Sequence, residues 1–405
     1  MYKRNIYLDR IRTFLGKPVI KVITGMRRVG KSCLMKQIIS HLHNTGVPDS
    51  NILYIDMESL DFEHIRTYRE LNSEAQRIIS NSSGMKYLLI DEVQEIEGWE
   101  RAVASLAAKD DVDIIVTGSN AHLFASELAT LLSGRYIEFP VYSLGFQEYL
   151  QFRDDQSRSI QEELSDYLRF GGLPAIHQLG IDNDMVFQYL SSIYNTILLK
   201  DIVRRHQIRN VALLERISRY LFDNIGNVMS AKNIADYVKS QRLRVGVETV
   251  QNYLEYFCEA YVAHRVRRFD IKGKRQLEIL DKYYLGDIGM RHAVIGYRES
   301  DISGVIENTV YLELLRRGYT VSVGKFGDRE VDFVATRDNE RHYFQVAYLL
   351  ASPDVIEREF GVLRDIPDNY PKSVISLDAA FGGDLNGIKR VHLADFLLGD
   401  HRWRA

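Results

Sequence analysis

The first 140 residues alternate between short apolar runs of strand length and longer segments with helical periodicity. The apolar runs lie at Val19–Ile23, Asn51–Met57, Lys86–Ile90, Asp113–Val116 and Arg135–Phe139. Helices are predicted between them at 62–80, 99–108 and 122–133, and a short amphipathic helix within residues 1–16. Because strands that alternate with helices build parallel sheets covered on both faces, this pattern predicts an α/β fold with a parallel sheet.

The hydrophobic pattern changes in the remainder of the chain. Residues 143–208 are helical apart from a break at Gly171–Pro174, whereas 209–292 fit three helices followed by a hairpin. From about residue 300 a helix is followed by strands and a further helix. We therefore predict an α/β core at 1–142, a helical domain at 143–208, a winged-helix domain at 209–292 and a second α/β domain at 300–405.

The composition agrees with several globular domains, since 405 residues are too many for a single hydrophobic core. Hydrophobic residues make up 45% of the chain and charged residues 26%, which is ordinary for such proteins. The two cysteines, Cys33 and Cys258, indicate neither a disulfide framework nor a zinc site. No apolar run is long enough to cross a bilayer, and the N-terminus is too charged for a signal peptide. We expect a cytoplasmic protein without a membrane partner.

The net charge of −3 is unevenly distributed. Lys200–Arg275 contains 16 basic and 8 acidic residues, so this segment is positive and the rest of the chain is negative. A local basic segment favours contact with the phosphates of a nucleic acid, although many such segments are simply solvated surface.

A strand, a glycine-rich loop and a helix follow one another at residues 17–39. The sequence Gly25-Met-Arg-Arg-Val-Gly-Lys-Ser32 fits the phosphate-binding pattern G-x-x-x-x-G-K-[ST]. Its glycines let backbone amides approach an anion, and the helix N-terminus favours negative charge. We expect Lys31 to bridge the β- and γ-phosphates and Ser32 to bind Mg²⁺, with Arg27 and Arg28 pointing outward. The predicted ligand is ATP, held by Gly25, Arg28, Val29, Gly30, Lys31, Ser32 and Cys33.

Two adjacent carboxylates follow the third apolar run. Asp91 and Glu92 come directly after Leu88-Leu89-Ile90, and α/β folds place their sites at the carboxyl ends of parallel strands. Hydrolysis of ATP needs a carboxylate that orders Mg²⁺ and a group that activates water. We assign the first role to Asp91, together with Ser32, and the second to Glu92.

Further polar residues end the fourth run and precede the fifth. Ser119 and Asn120 would place a polar side chain between these carboxylates and the γ-phosphate, or would cap the following helix. Arg135 would reach the γ-phosphate of a neighbouring subunit and stabilise charge in the transition state, which requires a homo-oligomer. An ordinary surface arginine is the alternative.

These motifs, taken together with others, resemble a known family. The matching segments are GMRRVGKS at 25–32, YLLIDEVQ at 87–94, VTGSN at 116–120, LLSGR at 131–135, PVYSLGFQEY at 140–149, FGGLP at 170–174, ILLKDIV at 197–203 and KYYLGDIG at 282–289. They resemble the prokaryotic AAA-type ATPases of the archaeal-ATPase group that carry a nuclease-like C-terminal domain of unknown function. The resemblance implies a P-loop AAA+ core, a winged helix and a helical lid in which Gly172 and Pro174 lie near the nucleotide. Helix termination by glycine and proline also explains these two residues.

The C-terminal segment resembles the PD-(D/E)xK fold of restriction endonucleases. Its matching positions are Glu307, Asp332 and Gln345, and Ala347 stands where that family has a lysine. Metal-dependent cleavage needs oxygen ligands and a lysine that activates water or holds the scissile phosphate. No nearby lysine replaces the missing one, and Lys325 lies on a different predicted loop. We therefore expect a degenerate site used for docking or for gripping DNA, the alternative being an ATPase-coupled DNA nuclease.

The predicted winged helix allows two kinds of partner. DNA would be contacted by Thr249, Gln251 and Asn252 of its third helix and by a basic hairpin. The basic residues of that hairpin are Arg265, Arg267, Arg268, Lys272, Lys274 and Arg275. Glu248 and Glu255 oppose entry of the same helix into a groove and favour a protein partner, for which the ATPase would be a regulatory switch. Our hypothesis is that ATP hydrolysis drives remodelling of, or translocation on, DNA.

Overall fold

The structure, a computed structural model, describes residues 2–80, 83–121, 134–153, 157–178, 183–378 and 383–399. The chain divides into two compact units. The first unit comprises Met1–Val141 with Glu259–Tyr261, and the second comprises Tyr142–Cys258 with Val262–Ala405.

The first unit is an α/β layer structure. Its helices and strands are α1 (Asn5–Arg12), β1 (Ile20–Thr24), α2 (Lys31–Asn44), β2 (Ile52–Asp56), α3 (Tyr68–Ile79), β3 (Lys86–Asp91), α4 (Trp99–Leu106), β4 (Val112–Gly118) and β5 (Tyr136–Pro140). Over the described residues, the five strands form one parallel sheet in the order β2-β3-β4-β1-β5. The predicted α/β fold with a parallel sheet is confirmed, while the helix predicted at 122–133 lies outside the described residues.

The sheet of the first unit is buried because helices cover it. Every residue of β1 is buried, and the core includes Ile55, Ile90, Val103 and Val116 from four different elements. Such a strand needs apolar side chains on both faces, which is why its sequence shows no polar alternation. Lys21 is the one charged residue of β1, and its ammonium lies 2.5 Å from a carboxylate oxygen of Asp113 at the start of β4.

The second unit begins with helices. These are α5 (Phe146–Arg153), α6 (Ile160–Phe170), α7 (Asn183–Thr196), a π-helical segment (Ile197–Arg204), α8 (Val211–Asp223), α9 (Ala231–Ser240), α10 (Val247–Glu259) and α11 (Ile288–Ile295). The hydrophobic pattern predicts all of them except the π-helical geometry and α11. α11 packs against α6, α7 and α8.

The strands of the second unit belong to one mixed sheet. These strands and the C-terminal helices are β6 (Val228–Met229), β7 (Ala263–Asp270), β8 (Arg275–Leu285), α12 (Ile302–Arg316), β9 (Thr320–Phe326), β10 (Arg329–Arg337), β11 (Glu340–Val346), α13 (Pro353–Arg364), β12 (Lys372–Ser376), β13 (Asp384–Leu385), β14 (Ile388–His392) and α14 (Leu393–Leu398). Within the described ranges the sheet has nine strands in the order β13-β14-β12-β11-β10-β9-β7-β8-β6.

The hairpin of β7 and β8 continues into the C-terminal strands. β7 pairs antiparallel with β8 and, through Arg268–Asp270, parallel with β9. Three helices followed by a hairpin are present where the winged helix is expected, but the backbone of β7 is paired on both sides rather than forming a free wing. The winged-helix character and the division into four domains stay predictions. None of the described helices has the length and apolar character needed to cross a membrane.

Candidate nucleotide-binding site

The loop between β1 and α2 depends on unusual backbone conformations. The φ angle is positive at Gly25, Arg28 and Gly30. A Cβ atom on Gly25 would lie 2.2 Å from the carbonyl oxygen of Val141, so a side chain does not fit there. Gly30 is the N-cap of α2 and supplies no side-chain hydrogen bond to the first turn, which contains no acidic residue. Because the first amides of a helix have no intrahelical acceptor, this end of α2 suits an anion.

The side chain of Lys31 turns back into this loop and is only 3% exposed. Its Nζ atom donates hydrogen bonds to the carbonyl oxygens of Gly25 at 3.0 Å and Met26 at 3.2 Å. The same atom lies 3.4 Å from Oε1 of Glu92, which follows β3. The loop therefore fixes a cation beside a carboxylate that a neighbouring part of the sheet supplies.

Glu92 is held by contacts on both carboxylate oxygens. Its Oε2 atom accepts hydrogen bonds from Oγ of Ser119, at 3.0 Å, and from Nε2 of Gln94. Burial raises the pKa of Glu92, but the charges of Lys31 and Arg27 and these hydrogen bonds outweigh it, so the net pKa lies below the usual 4.5. Glu92 is therefore ionised at neutral pH and can accept hydrogen bonds from water.

Asp91 is buried beside Glu92 and is held by two neighbouring strands. Its Oδ2 atom accepts a hydrogen bond of 3.0 Å from the hydroxyl of Tyr54 on β2, and its Oδ1 atom accepts one from Thr117 on β4. The Thr117 hydroxyl also accepts from the backbone amide of Glu92 at 2.9 Å. Burial, followed by the charge of Asp91, raises the pKa of Tyr54, which therefore stays a donor.

Sequence reasoning missed Tyr54, Gln94 and Thr117. Their positions in the sequence could have indicated all three. Tyr54 and Thr117 lie near the carboxyl ends of the strands that flank β3, and Gln94 is the second residue after Glu92. Side chains at these positions of a parallel sheet converge on one edge.

The remaining predicted residues of the first unit have varied environments. Ser32 is half-buried and Cys33 exposed in the first turn of α2, Val29 is buried in the loop, and Asn120 is buried next to Ser119. The prediction that Arg27 points outward is wrong, because the side chain is buried and forms an ion pair of 2.8 Å with Glu58, whereas Arg28 is exposed.

Arg135 lies at the other edge of the sheet. It is exposed and directly precedes β5, and its carbonyl oxygen accepts a hydrogen bond of 2.8 Å from the amide of Ile20, the first residue of β1. The phosphate-binding loop follows the last residue of β1. Arg135 is therefore separated from Lys31 of its own subunit by the length of the strand.

Gly172 and Pro174 belong to the second unit, where close packing explains the glycines. A Cβ atom on Gly172 would lie 2.4 Å from the carbonyl oxygen of Leu144, and the Gly172 amide donates a hydrogen bond of 2.8 Å to Asp287. Asp287 also caps α11 through the amide of Met290, at 3.1 Å. Burial raises the pKa of Asp287 to about 6. A role of Gly172 and Pro174 near a nucleotide stays a prediction.

The three positions that resemble a nuclease site are brought together in the second unit. The Asp332 amide donates a hydrogen bond of 3.3 Å to Oε1 of Gln345, and Glu307 and Asp332 both approach Lys282. Sequence reasoning missed Lys282 and Glu330, which also contacts this lysine. The expectation that no lysine is nearby is therefore wrong, because Lys282 comes from β8, far from Ala347 in the sequence.

Most of the predicted DNA-binding side chains are exposed. Thr249 and Arg268 are half-buried, and the exposed ones are Gln251, Asn252, Arg265, Arg267, Lys272, Lys274 and Arg275. Two of the basic groups have partners within the unit. Arg265 forms an ion pair of 2.6 Å with Asp281, and the ammonium of Lys272 lies 4.6 Å from the centre of the Phe326 ring.

Comparison with known proteins relates parts of this chain to known families and folds. Residues 17–150 match a family model described as an AAA domain, and residues 161–301 match a domain of unknown function, DUF8612. The fold is similar to that of a Walker-type ATPase of Pyrococcus abyssi, with a TM-score of 0.52 and 16% identity over 73% of this chain and 96% of the other. The loop, the parallel sheet and the family match identify residues 17–150 as an AAA domain of the P-loop type.

Two relatives narrow this class to a particular family. An uncharacterized protein of Haemophilus influenzae is 35% identical over 400 residues, which cover 98% of this chain and 99% of the relative. An uncharacterized protein of Methanocaldococcus jannaschii is 31% identical over 347 residues, or 82% of this chain and 75% of that protein. The chain belongs to the family that these two proteins represent.

Proposed function

We propose that this protein hydrolyses ATP, with Mg²⁺, at the edge of the sheet where the phosphate-binding loop meets Asp91 and Glu92. The observation that carries the proposal is the distance of 3.4 Å between Nζ of Lys31 and Oε1 of Glu92. A cation that bridges the β- and γ-phosphates and a carboxylate that orients water must both border the γ-phosphate. The contact between Lys31 and Glu92 supports this arrangement.

The residues present fit both the nucleotide and the metal. The loop accommodates no Cβ atom at Gly25, and α2 begins without an acidic side chain, as an anion-binding end requires. Ser32 and Asp91 would hold Mg²⁺, which prefers oxygen ligands, and the metal would neutralise charge on the phosphates. Ser119, which donates a hydrogen bond to Glu92, would position that carboxylate, and Asn120 would border the γ-phosphate.

Release of phosphate from ATP by the purified protein tests this proposal. Glu92→Gln should lower turnover at least about 100-fold while ATP still binds, because the variant loses the group that activates water. Glu95→Gln is the matched control, since Glu95 is exposed and ends the short 3-10 helix Val93–Glu95 that directly follows Glu92. Equal turnover in Glu92→Gln and the wild type would refute the role of Glu92.

We further propose that hydrolysis is coupled to DNA, held by a winged helix at 209–292. The exposed basic groups Arg267, Lys274 and Arg275 on the β7–β8 hairpin support this proposal. Three such contacts would give a DNA-binding constant that falls steeply with salt. Their replacement by alanine should reduce, by about 3, the magnitude of the slope of the logarithm of this constant against the logarithm of the salt concentration.

Anisotropy of labelled duplex and single-stranded DNA over a salt series measures that slope. Arg358→Ala, an exposed arginine on α13, is the control for removal of a charge elsewhere in the unit. A slope that the hairpin variant leaves unchanged, or ATP turnover that ignores every DNA, would favour a protein partner. The ion pair of Arg265 with Asp281 and the exposed Glu248 and Glu255 are the observations that support this second candidate.

A further inference from the structure

Three carboxylates surround the ammonium group of Lys282 in the second unit. The Nζ atom lies 2.6 Å from Oε1 of Glu330, 2.9 Å from Oε1 of Glu307 and 3.9 Å from Oδ1 of Asp332. The lysine comes from β8, Glu307 from α12, and the other two from β10. Only 3% of the Lys282 side chain is exposed, so water cannot replace these contacts.

The same carboxylates accept further hydrogen bonds that fix them in place. The hydroxyl of Tyr284 donates to Oε1 of Glu307 at 2.5 Å, and the amide of Val346 donates to Oδ2 of Asp332 at 2.8 Å. Glu307 also lies against Gly226, where a Cβ atom would come within 2.9 Å of its Oε2. The cluster is therefore a built site with one positive and three acidic side chains.

Such a set of oxygens has the chemistry of a site for a hard divalent cation. Among the residues that the structure describes, however, no group of three or more acidic, histidine or cysteine side chains is arranged to hold a metal ion. The oxygens are instead spaced around the ammonium group. Burial lowers the pKa of Lys282, but the carboxylates outweigh this effect and raise the net value, so the group stays charged.

We propose that the ammonium group of Lys282 is the resident cation of this cluster. While it is seated there, Glu307, Glu330 and Asp332 take no divalent metal, and removal of the ammonium converts the cluster into a site for a divalent cation. In the second unit, a lysine of the β7–β8 hairpin then occupies the position between the three carboxylates that a metal ion would otherwise take. The opposite possibility, a lysine that acts beside a bound metal, requires the wild-type chain to bind that metal.

Binding of Mn²⁺ to the full-length protein without nucleotide separates the two possibilities. The variants are Lys282→Met, Asp332→Asn, the triple variant Lys282→Met/Glu307→Gln/Asp332→Asn, and Lys274→Met as a control for loss of an exposed lysine in the same hairpin. Calorimetry gives the affinity, and the melting temperature reports the same binding independently. We expect Lys282→Met to bind one Mn²⁺ ion per chain beyond any that the wild type binds, so that its apparent affinity for Mn²⁺ is at least 10-fold higher. Mn²⁺ should also raise its melting temperature, and both effects should vanish in the triple variant.

Two results would overturn the proposal. One is saturable binding of Mn²⁺ by the wild type that Asp332→Asn removes, because the metal and the ammonium would then coexist. The other is a folded Lys282→Met variant that binds no more Mn²⁺ than the control. Should Lys282→Met not fold without metal, Lys282→Gln replaces it in the same comparison, and the wild-type titration decides independently of both.

Discussion

Oε1 of Glu92 lies 3.4 Å from Nζ of Lys31, although the two residues follow different strands of the parallel sheet. The ammonium is also bonded to two carbonyl oxygens of its own loop, and the carboxylate to Ser119 and Gln94. Under the proposed function, binding of a triphosphate exchanges the ion pair for phosphate oxygens. Glu92 then keeps its contacts with Ser119 and Gln94 and is available to water.

Gln94→Leu tests the positioning of Glu92. The substitution removes a donor to the charged carboxylate, so the pKa of Glu92 should rise and the acid limb of the pH–rate profile should move to higher pH. Turnover at neutral pH should fall about 10-fold through the loss of orientation, with little change in ATP affinity. A purely structural role would lower the amount of active protein without moving the acid limb.

The buried ion pair of Lys21 and Asp113 makes a stability prediction. Burial lowers the pKa of Lys21 and raises that of Asp113. The electrostatic attraction between the two groups is therefore smaller than the free energy that their desolvation costs. Lys21→Met alone should cost about 3–5 kcal/mol, because it leaves a buried carboxylate unpaired. Adding Asp113→Asn should recover most of this loss, since the amide oxygen still accepts the hydrogen bond from Gly16.

Urea denaturation of the two single variants, the double variant and the wild type measures this coupling. Additive losses in the double variant would contradict the account of the pair.

Asp287 predicts how stability changes with pH. Its pKa is about 6 in the folded chain, against an ordinary 3.8, because it is buried. Between these values the folded protein binds more protons than the unfolded chain, so Asp287 makes stability fall as the pH rises from 4 to 6. Asp287→Asn lacks this titration, and its stability relative to the wild type should therefore increase over the same range, by up to about 3 kcal/mol. Parallel pH curves for the two proteins, measured by urea denaturation, would contradict the shifted pKa.

Arg135 tests whether subunits cooperate. Because Arg135 and Lys31 lie at opposite edges of one sheet, any action on the γ-phosphate has to come from a neighbouring subunit. Arg135→Ala should lower turnover at least about 10-fold, and mixing it with Lys31→Ala should restore part of the activity, since some interfaces then combine an intact Lys31 with an intact Arg135. Full activity of Arg135→Ala alone would identify an ordinary surface arginine.

The sequence was most informative where structure depends on neighbours in the chain. The strands of the first unit and the loop at Gly25–Ser32 follow from local periodicity and from a motif whose residues act together. α11 was missed because its eight residues include five buried ones, from Ile288 to His292, and show no polar face to mark a helix. β6 has two residues, too few for any alternation.

Contacts between distant segments could not be predicted. The burial of Arg27 depends on Glu58, beyond the end of β2, and the position of Lys282 depends on how β8 meets α12 and β10. Both cases concern charged side chains that would be exposed if a partner from another element did not hold them. When each segment of the sequence is considered separately, such charged residues are predicted to lie on the surface.

Turnover of ATP by the wild type and by Lys31→Ala, in Mg²⁺ and in excess chelator, is the decisive measurement of whether ATP is hydrolysed at this site. We expect phosphate release by the wild type that needs the metal, and none above background for Lys31→Ala, which should also lose ATP binding while keeping its melting temperature. Metal-dependent turnover that survives in a folded Lys31→Ala variant would place hydrolysis elsewhere and contradict the assignment of this site.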